Sequence, residues 1–292
     1  MAQVTAQLRD IVADAPLLMG VVNITPDSFS DGGQFYDAPA AVSQGRKLLS
    51  QGAAILDLGA EASSFFRAGV LPVPAEEQSR RLLPVVHQLV KDPEPGGRVP
   101  LVSVDTRSAE VARAAVAAGA HIINDISAGT HDPDMLATIA KLGVPFILMH
   151  MGESFPETPA QDDPAIIKRV RDNLLARADA AIAAGVHRDQ IALDPGIGFG
   201  KTMADNWRLV RDIHHLLATG FPIVLGVSRK RFLATAPPDE LLLPPLPIGT
   251  NFSDAHERDP LTARITRLTA DRGVQIHRVH NVALAAQALA KL

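Results

Sequence analysis

Residues 101–125 read LVSVDTRSAEVARAAVAAGAHIIND. The stretch opens on a short apolar, β-branched run, Leu101–Val104, that stops at Asp105. Ser108 then stands as an N-cap, with Glu110 in the first turn of an Ala-rich helical segment that ends at Gly119. A second apolar run, His121–Ile126, carries Asn124 and Asp125 at its end. Runs bounded in this way read as strands buried on both faces. A helix between two of them is the crossover that a parallel pair needs. The same unit recurs, with further runs at Leu17–Ile24, Ala54–Leu58, Pro145–Met149, Gln190–Leu193, Pro222–Val227 and Val274–Val279. Eight such runs with helical segments in most gaps predict an α/β protein, a TIM (β/α)8 barrel. In that architecture chemistry sits at the C-terminal strand ends. Here those ends carry Asn23, Glu61, Asp105, Asn124 with Asp125, His150, Asp194, Ser228-Arg229-Lys230, and Arg278 with His280.

The length of 292 residues suits one such barrel, so residues 1–292 read as a single domain. With 47% hydrophobic and 21% charged residues the chain is globular, not disordered. A net charge of −4 argues against nucleic-acid binding, which needs a basic surface. Trp207 and Tyr36 offer no aromatic platform for bases either. The chain has no cysteine, which excludes disulfides, thiolate nucleophiles and Cys-based metal sites. Met1–Pro16 shows no basic segment followed by a long apolar stretch, and the apolar runs are too short to span a bilayer. The expectation is a cytoplasmic protein with no membrane partner.

Helical periodicity marks Ala38–Gln51, Glu76–Leu89, Pro133–Leu142, Asp163–Ala184, Met203–Leu217 and Asp259–Arg272, most of them followed by a glycine. A short helix is also expected after Ser228. Two segments break the rhythm. Lys91–Pro100 reads as an exposed Pro/Gly loop, and Ala236–Pro260 is a proline-rich insertion. The apolar centre of that insertion, Leu241–Leu246, is either a surface excursion or a cover for the barrel flank or a subunit contact.

Three groups of residues carry chemistry. Asn23 places an amide oxygen, a suitable Mg²⁺ ligand, before the polar, Gly-rich Thr25–Gly33, which is either a closing loop or an ordinary turn. Asp105, Asn124 and Asp194 bring carboxylates and an amide towards one apolar barrel mouth. That set suits a flat heterocycle whose N–H edge pairs with a carboxylate. Asp194 also fits as a helix N-cap. The glycines at 196, 198 and 200 let backbone approach a ligand, although Gly-x-Gly-x-Gly has neither the dinucleotide nor the P-loop spacing. Ser228-Arg229-Lys230-Arg231 and Arg278-Val279-His280 form two basic strand ends where barrels often bind phosphate. Arg278 and His280 alternate with Val279 and so share a face. The ten histidines show no metal-binding spacing. Together these groups describe Mg²⁺-assisted chemistry on a phosphorylated heterocycle.

Over nearly its whole length the chain resembles bacterial dihydropteroate synthases. The resemblance rests on Met19–Gly33, Val104–Thr106, Gly119–Ile126, Leu148–Met151, Leu193–Lys201, Gly226–Lys230 and Arg278–Val282. It implies a transferase of folate biosynthesis, a sulfonamide target that joins p-aminobenzoate to hydroxymethyl-dihydropterin pyrophosphate and releases pyrophosphate. It further implies Mg²⁺ and a homodimer. Carried over, Asn23 holds the metal and, with Ser64, Arg278 and His280, the pyrophosphate. Asp105, Asn124, Met149, Asp194, Phe199, Gly226 and Lys230 surround the pterin. Phe29, Ser64, Phe66, Lys230 and Arg231 face the aminobenzoate. Asp105, Lys230, Asp27 and Arg67 are the catalytic set.

The second strand end departs from the family pattern Gly-Gly-Glu-Ser-Thr-Arg-Pro-Gly. This chain has Gly59-Ala-Glu-Ala-Ser-Ser-Phe-Phe-Arg-Ala-Gly69, three residues longer, with Glu61 kept. Ser64 and Arg67 stand in for the usual Thr-Arg pair, with Phe65-Phe66 between them. Aromatic bulk there is expected either to exclude sulfonamides or to have no pharmacological effect. Asn281 replaces a usual aspartate. The alternatives to a synthase are a non-catalytic pterin-binding homologue and a pterin-dependent methyltransferase domain.

Overall fold

The ladder that begins with Leu101–Asp105 and Ile122–Asp125 extends around the whole molecule. A computed structural model describes residues 7–25, 38–61, 72–92, 99–153, 155, 159, 161–235, 239–241, 252 and 254–290. Its strands are β1 Leu17–Asn23, β2 Ile55–Gly59, β3 Leu101–Asp105, β4 Ile122–Asp125, β5 Phe146–Met149, β6 Ile191–Asp194, β7 Val224–Leu225 and β8 Ile276–Val279. They pair in parallel in the order β6-β5-β4-β3-β2-β1-β8-β7. A bridge from Leu193 to Ile223 and a hydrogen bond from Leu193 N to Pro222 O bring β6 back to β7 and close the barrel. β7 is shorter than the run 222–227 suggests. Pro222 has no N–H to give a ladder, and Ile223 N donates to the Gln275 side chain at 2.8 Å instead.

The helices are α1 Leu8–Ile11, α2 Ala38–Ser50, α3 Ala75–Lys91, α4 Ala109–Ala117, α5 Met135–Leu142, α6 Ile166–Ala183, α7 Met203–Arg211, α8 His214–Leu217, α9 Asp259–Asp271 and α10 Val282–Leu289. Ser108 caps α4 as expected, accepting from Val111 N. The single segment expected over Met203–Leu217 is two helices. Asp212 ends α7, and i→i+3 bonds such as His215 N to Asp212 O turn the chain into α8. The helix expected after Ser228 is only a 3₁₀ turn, Arg231–Ala234.

Two apolar layers follow from the alternation of each strand. Leu18, Leu56, Leu58, Val102, Val104, Phe146, Leu148, Leu193 and Val279 point outwards into the layer shared with the helices. Leu17, Met19, Ile55, Ile122, Ile147, Ala192, Val224 and Ile276 point inwards and fill the lower barrel, where Leu8 and Ile11 of α1 pack against them. The register continues that inward face upwards in polar residues. Val21 lies beside Asp57, which lies beside Ser103; one step higher, Asn23, Gly59, Asp105 and Asn124 form a row. The lower barrel is thus a dry plug and the mouth is lined with hydrogen-bonding groups. Leu241, from the proline-rich insertion, is buried in the outer layer. The rest of that insertion's apolar centre, 242–246, lies outside the described residues.

Candidate active site

The wall built by β2, β3, β4 and β8 centres on one fully buried carboxylate. Asp57 accepts from Ser103 Oγ at 2.7 Å, from Asn124 Nδ2 at 3.3 Å and from Arg278 Nε at 2.6 Å. Arg278 also reaches Asp105 at 3.5 Å. Asp105, half-buried, is pushed up to about 7 by burial first and then by the negative charge of Asp57, against the pull of Arg278. Sequence reading missed Asp57. The signal was present, because in Ile55-Leu-Asp-Leu-Gly59 alternation puts Asp57 on the inward face with Ile55 and Gly59. Asn124 faces the pocket, whereas its neighbour Asp125 does not. Asp125 accepts from Ser127 N at 2.7 Å, Ser127 Oγ at 2.6 Å and Gly129 N at 2.8 Å, and so holds the loop after β4.

The opposite wall comes from β5, β6 and β7. Asp194 is not the N-cap of α7; Thr202 is, accepting from Asp205 N. Asp194 Oδ1 instead accepts from Gly196 N at 2.7 Å. Burial raises its pKa, opposed first by the charge of Lys230 and then by that N–H. Met149 lies beside Asp194 in the β5–β6 register. Lys230 Nζ donates to Ile197 O and lies 4.6 Å from the Phe199 ring centre. Burial lowers Lys230 to about 8, although Asp194 pulls it upwards. Gly226 sits against Arg278, where even a Cβ would be 3.7 Å from Arg278 Cβ. Arg229 adopts a left-handed φ of 60°, held by two 2.9 Å bonds to Asp259. That bidentate clamp fixes the turn from which Lys230 projects.

At the basic end, Arg278 lies on the inward face, bonded to Asp57, and His280 follows just past the end of β8. His280 Nδ1 lies 2.9 Å from Ser228 Oγ. Burial, followed by the charges of Arg278 and Arg229, holds His280 down at about 3, so the ring is neutral near pH 7. Arg231 is exposed at the start of its 3₁₀ turn.

Asn23 ends β1 with its side chain beside Gly59. Glu61 accepts from Val73 N at 2.9 Å and faces Arg107 at 3.6 Å. Asp27, Phe29, Ser64, Phe66 and Arg67 lie outside the described residues. Among the described residues no group of three or more His, Cys, Asp or Glu is arranged to hold a metal ion. No described helix is long and apolar enough to cross a membrane. The mouth thus pairs a carboxylate-and-amide slot with a cationic corner, a geometry that fits a flat N–H-bearing ring joined to an anion.

Known proteins resemble this chain in sequence and in fold. Residues 19–280 match a family model described as pterin binding enzyme. The dihydropteroate synthase of Mycobacterium leprae (strain TN) is 40% identical over 276 residues, covering 93% of this chain and 90% of its own. That of Streptococcus pyogenes is 39% identical over 265 residues, covering 91% and 90%. A solved structure of Xanthomonas albilineans dihydropteroate synthase with 4-aminobenzoic acid has a TM-score of 0.79 at 39% identity and covers 95% of this chain and 92% of that one. A structure from the same organism in complex with 7,8-dihydropteroate has a TM-score of 0.76.

Proposed function

This chain belongs to the pterin binding enzymes and, within them, to the dihydropteroate synthases; we infer that its barrel mouth joins p-aminobenzoate to 6-hydroxymethyl-7,8-dihydropterin pyrophosphate. The observation that carries the residue roles is the two-walled mouth, with Asp57, Asp105 and Asn124 on one side and Asp194 and Lys230 on the other. In the reaction the bond between the pterin's exocyclic methylene and the pyrophosphate oxygen breaks, and its electron pair leaves with pyrophosphate. The methylene cation is delocalised into the electron-rich ring. The arylamine nitrogen then forms the new C–N bond and gives up a proton to water.

Asn124, Asp194 and Lys230 bind the pterin edge, and Met149, Phe199 and Gly226 shape its slot. Asp105, ionised, stabilises the positive charge that develops beside it. Arg278 has N–H groups beyond the one given to Asp57, and these take the pyrophosphate together with an N–H of neutral His280. Ser64 completes that anion site. Phe29, Ser64, Phe66, Lys230 and Arg231 receive the aminobenzoate, with Asp27 and Arg67 supplied by the loops after β1 and β2. These loop assignments rest on resemblance.

A single amide oxygen, Asn23 Oδ1, fits Mg²⁺ that is carried in on the pyrophosphate, because Mg²⁺ commonly keeps waters and substrate phosphates and takes few protein ligands. When bound there, Mg²⁺ neutralises charge on the leaving group. We further propose that the chain works as one cytoplasmic barrel unit in a homodimer.

Pyrophosphate release with both substrates present is the deciding assay. Release that depends on p-aminobenzoate supports the synthase. The longer loop at 59–69 motivates one other reading, a pterin-binding protein without turnover. Calorimetric binding of the pterin pyrophosphate with no dihydropteroate formed would select it.

A further inference from the structure

Lys201 is 4% exposed and takes no part in the scheme above. Its ammonium donates to three backbone carbonyls, Gly196 O at 2.8 Å, Phe199 O at 3.0 Å and His150 O at 3.2 Å. Two of these belong to the glycine turn after β6 and the third to the loop after β5. The two loops meet backbone to backbone. A Cβ on Gly196, whose φ is 64°, would lie 1.9 Å from His150 O, and one on Gly152 would lie 2.5 Å from Gly200 O. Gly152 N also donates to Phe199 O at 3.2 Å.

No side chain fits in that seam, so the carbonyl dipoles that converge there must be neutralised from its end. An ammonium with three N–H groups matches three carbonyls. A buried carbonyl left without a donor is costly. The glycine turn also makes one wall of the pterin slot. It presents Ile197 O to Lys230, supplies the Gly196 N–H that holds Asp194, and carries the Phe199 ring, which packs on Phe155 at 5.0 Å. Burial, followed by the charge of Lys230, lowers Lys201 to about 7, while Asp194 and Asp205 favour its protonated form.

We propose that Lys201 is a positioning residue for the pterin end of the pocket. Its three donors hold the glycine turn so that Asp194, Phe199 and Lys230 meet the ring together. The proposal rests on the dihydropteroate synthase reading, which wild-type turnover tests separately.

The test is calorimetric binding of the pterin pyrophosphate to the full chain, well below its melting temperature, with wild type, Lys201→Met and Lys201→Ala. Met keeps the chain length and loses every donor. Its affinity should fall by about tenfold or more, the scale of a lost charge-assisted hydrogen bond. Ethylammonium added to Lys201→Ala should restore binding, whereas the same concentration of ethanol should not. A merely structural lysine would lower the melting temperature of both variants and leave the affinity of the folded protein unchanged, and that result overturns the proposal. If the Met variant fails to fold, binding by Lys201→Ala that is unaffected by ethylammonium overturns it equally. Normal wild-type turnover with unmoved variant affinities would refute this role alone; absent wild-type turnover would refute the synthase reading instead.

Discussion

At the residue scale, the pocket is a set of charges whose protonation sets the pH range of turnover. In the proposed mechanism Asp105 is ionised to stabilise a cation, and it sits near 7 because burial and Asp57 disfavour its charge. Lys230 sits near 8 and loses its charge above that value. The kcat/KM profile for the pterin substrate should therefore rise through about pH 7 and fall above about pH 8. Asp57→Asn removes one of the charges that raise Asp105, so the acid limb should move to lower pH; an unmoved limb would refute the coupling. Asp105→Asn and Lys230→Ala should each lower turnover roughly a hundredfold or more, on the order of 3 kcal/mol of barrier. Near-wild-type steady-state kinetics in both would remove these residues from the mechanism. Asp57 shows why the sequence named only part of this set. It lies two residues before the strand end, where polar residues advertise themselves, and its role follows from meeting Arg278 over β1, the strand between them.

At the scale of elements, strand ends were legible and turn geometry was not. Each apolar run stops where the register reaches the mouth, so Asp105, Asn124 and Asp194 could be picked by position. What the turns do with their residues depends on neighbours distant in sequence. Asp194 resembles a helix cap in sequence, yet Thr202 sits at the first turn of α7 and takes that role. The basic turn after β7 reads as a helix start, yet only four residues coil there. The seam between the loops after β5 and β6 yields a prediction of its own. Gly196→Ala would force a side chain onto His150 O in a left-handed conformation. It should cost roughly 2 kcal/mol or more of stability. Thermal melting checks this, and a loss below half of that would mean that the seam yields easily. Ser108→Ala, by contrast, removes the helix cap that accepts from Val111 N in α4. It should cost about 1 kcal/mol and leave the pterin KM unchanged.

At the scale of the whole molecule, the barrel confines histidine in places where a proton is unwelcome. His277 on β8 is 1% exposed in the layer between strands and helices, and burial lowers it from 6.5 to about 4. A histidine whose folded pKa lies below its unfolded value binds fewer protons when folded. Its contribution is therefore intact above about pH 6.5 and is lost as pH falls towards 4, by up to about 3 kcal/mol. Urea midpoints measured across that window should fall with pH, and less steeply in His277→Leu; parallel slopes would count against it. The sequence by itself determined the barrel, because the period of two in the strands, the glycine after most helices and the abrupt polar ends are local signals that admit one closed parallel arrangement. It determined the family as well, through Met19–Gly33, Leu193–Lys201 and the two basic strand ends. Only the tertiary structure decided which polar groups meet. The bonds of Asp57 to Arg278 and Asn124, and of Lys201 to His150, cross 221, 67 and 51 positions of chain. A contact of that kind is set by strand register and by the turns that follow each strand, and local spacing carries no record of which side chains these bring together.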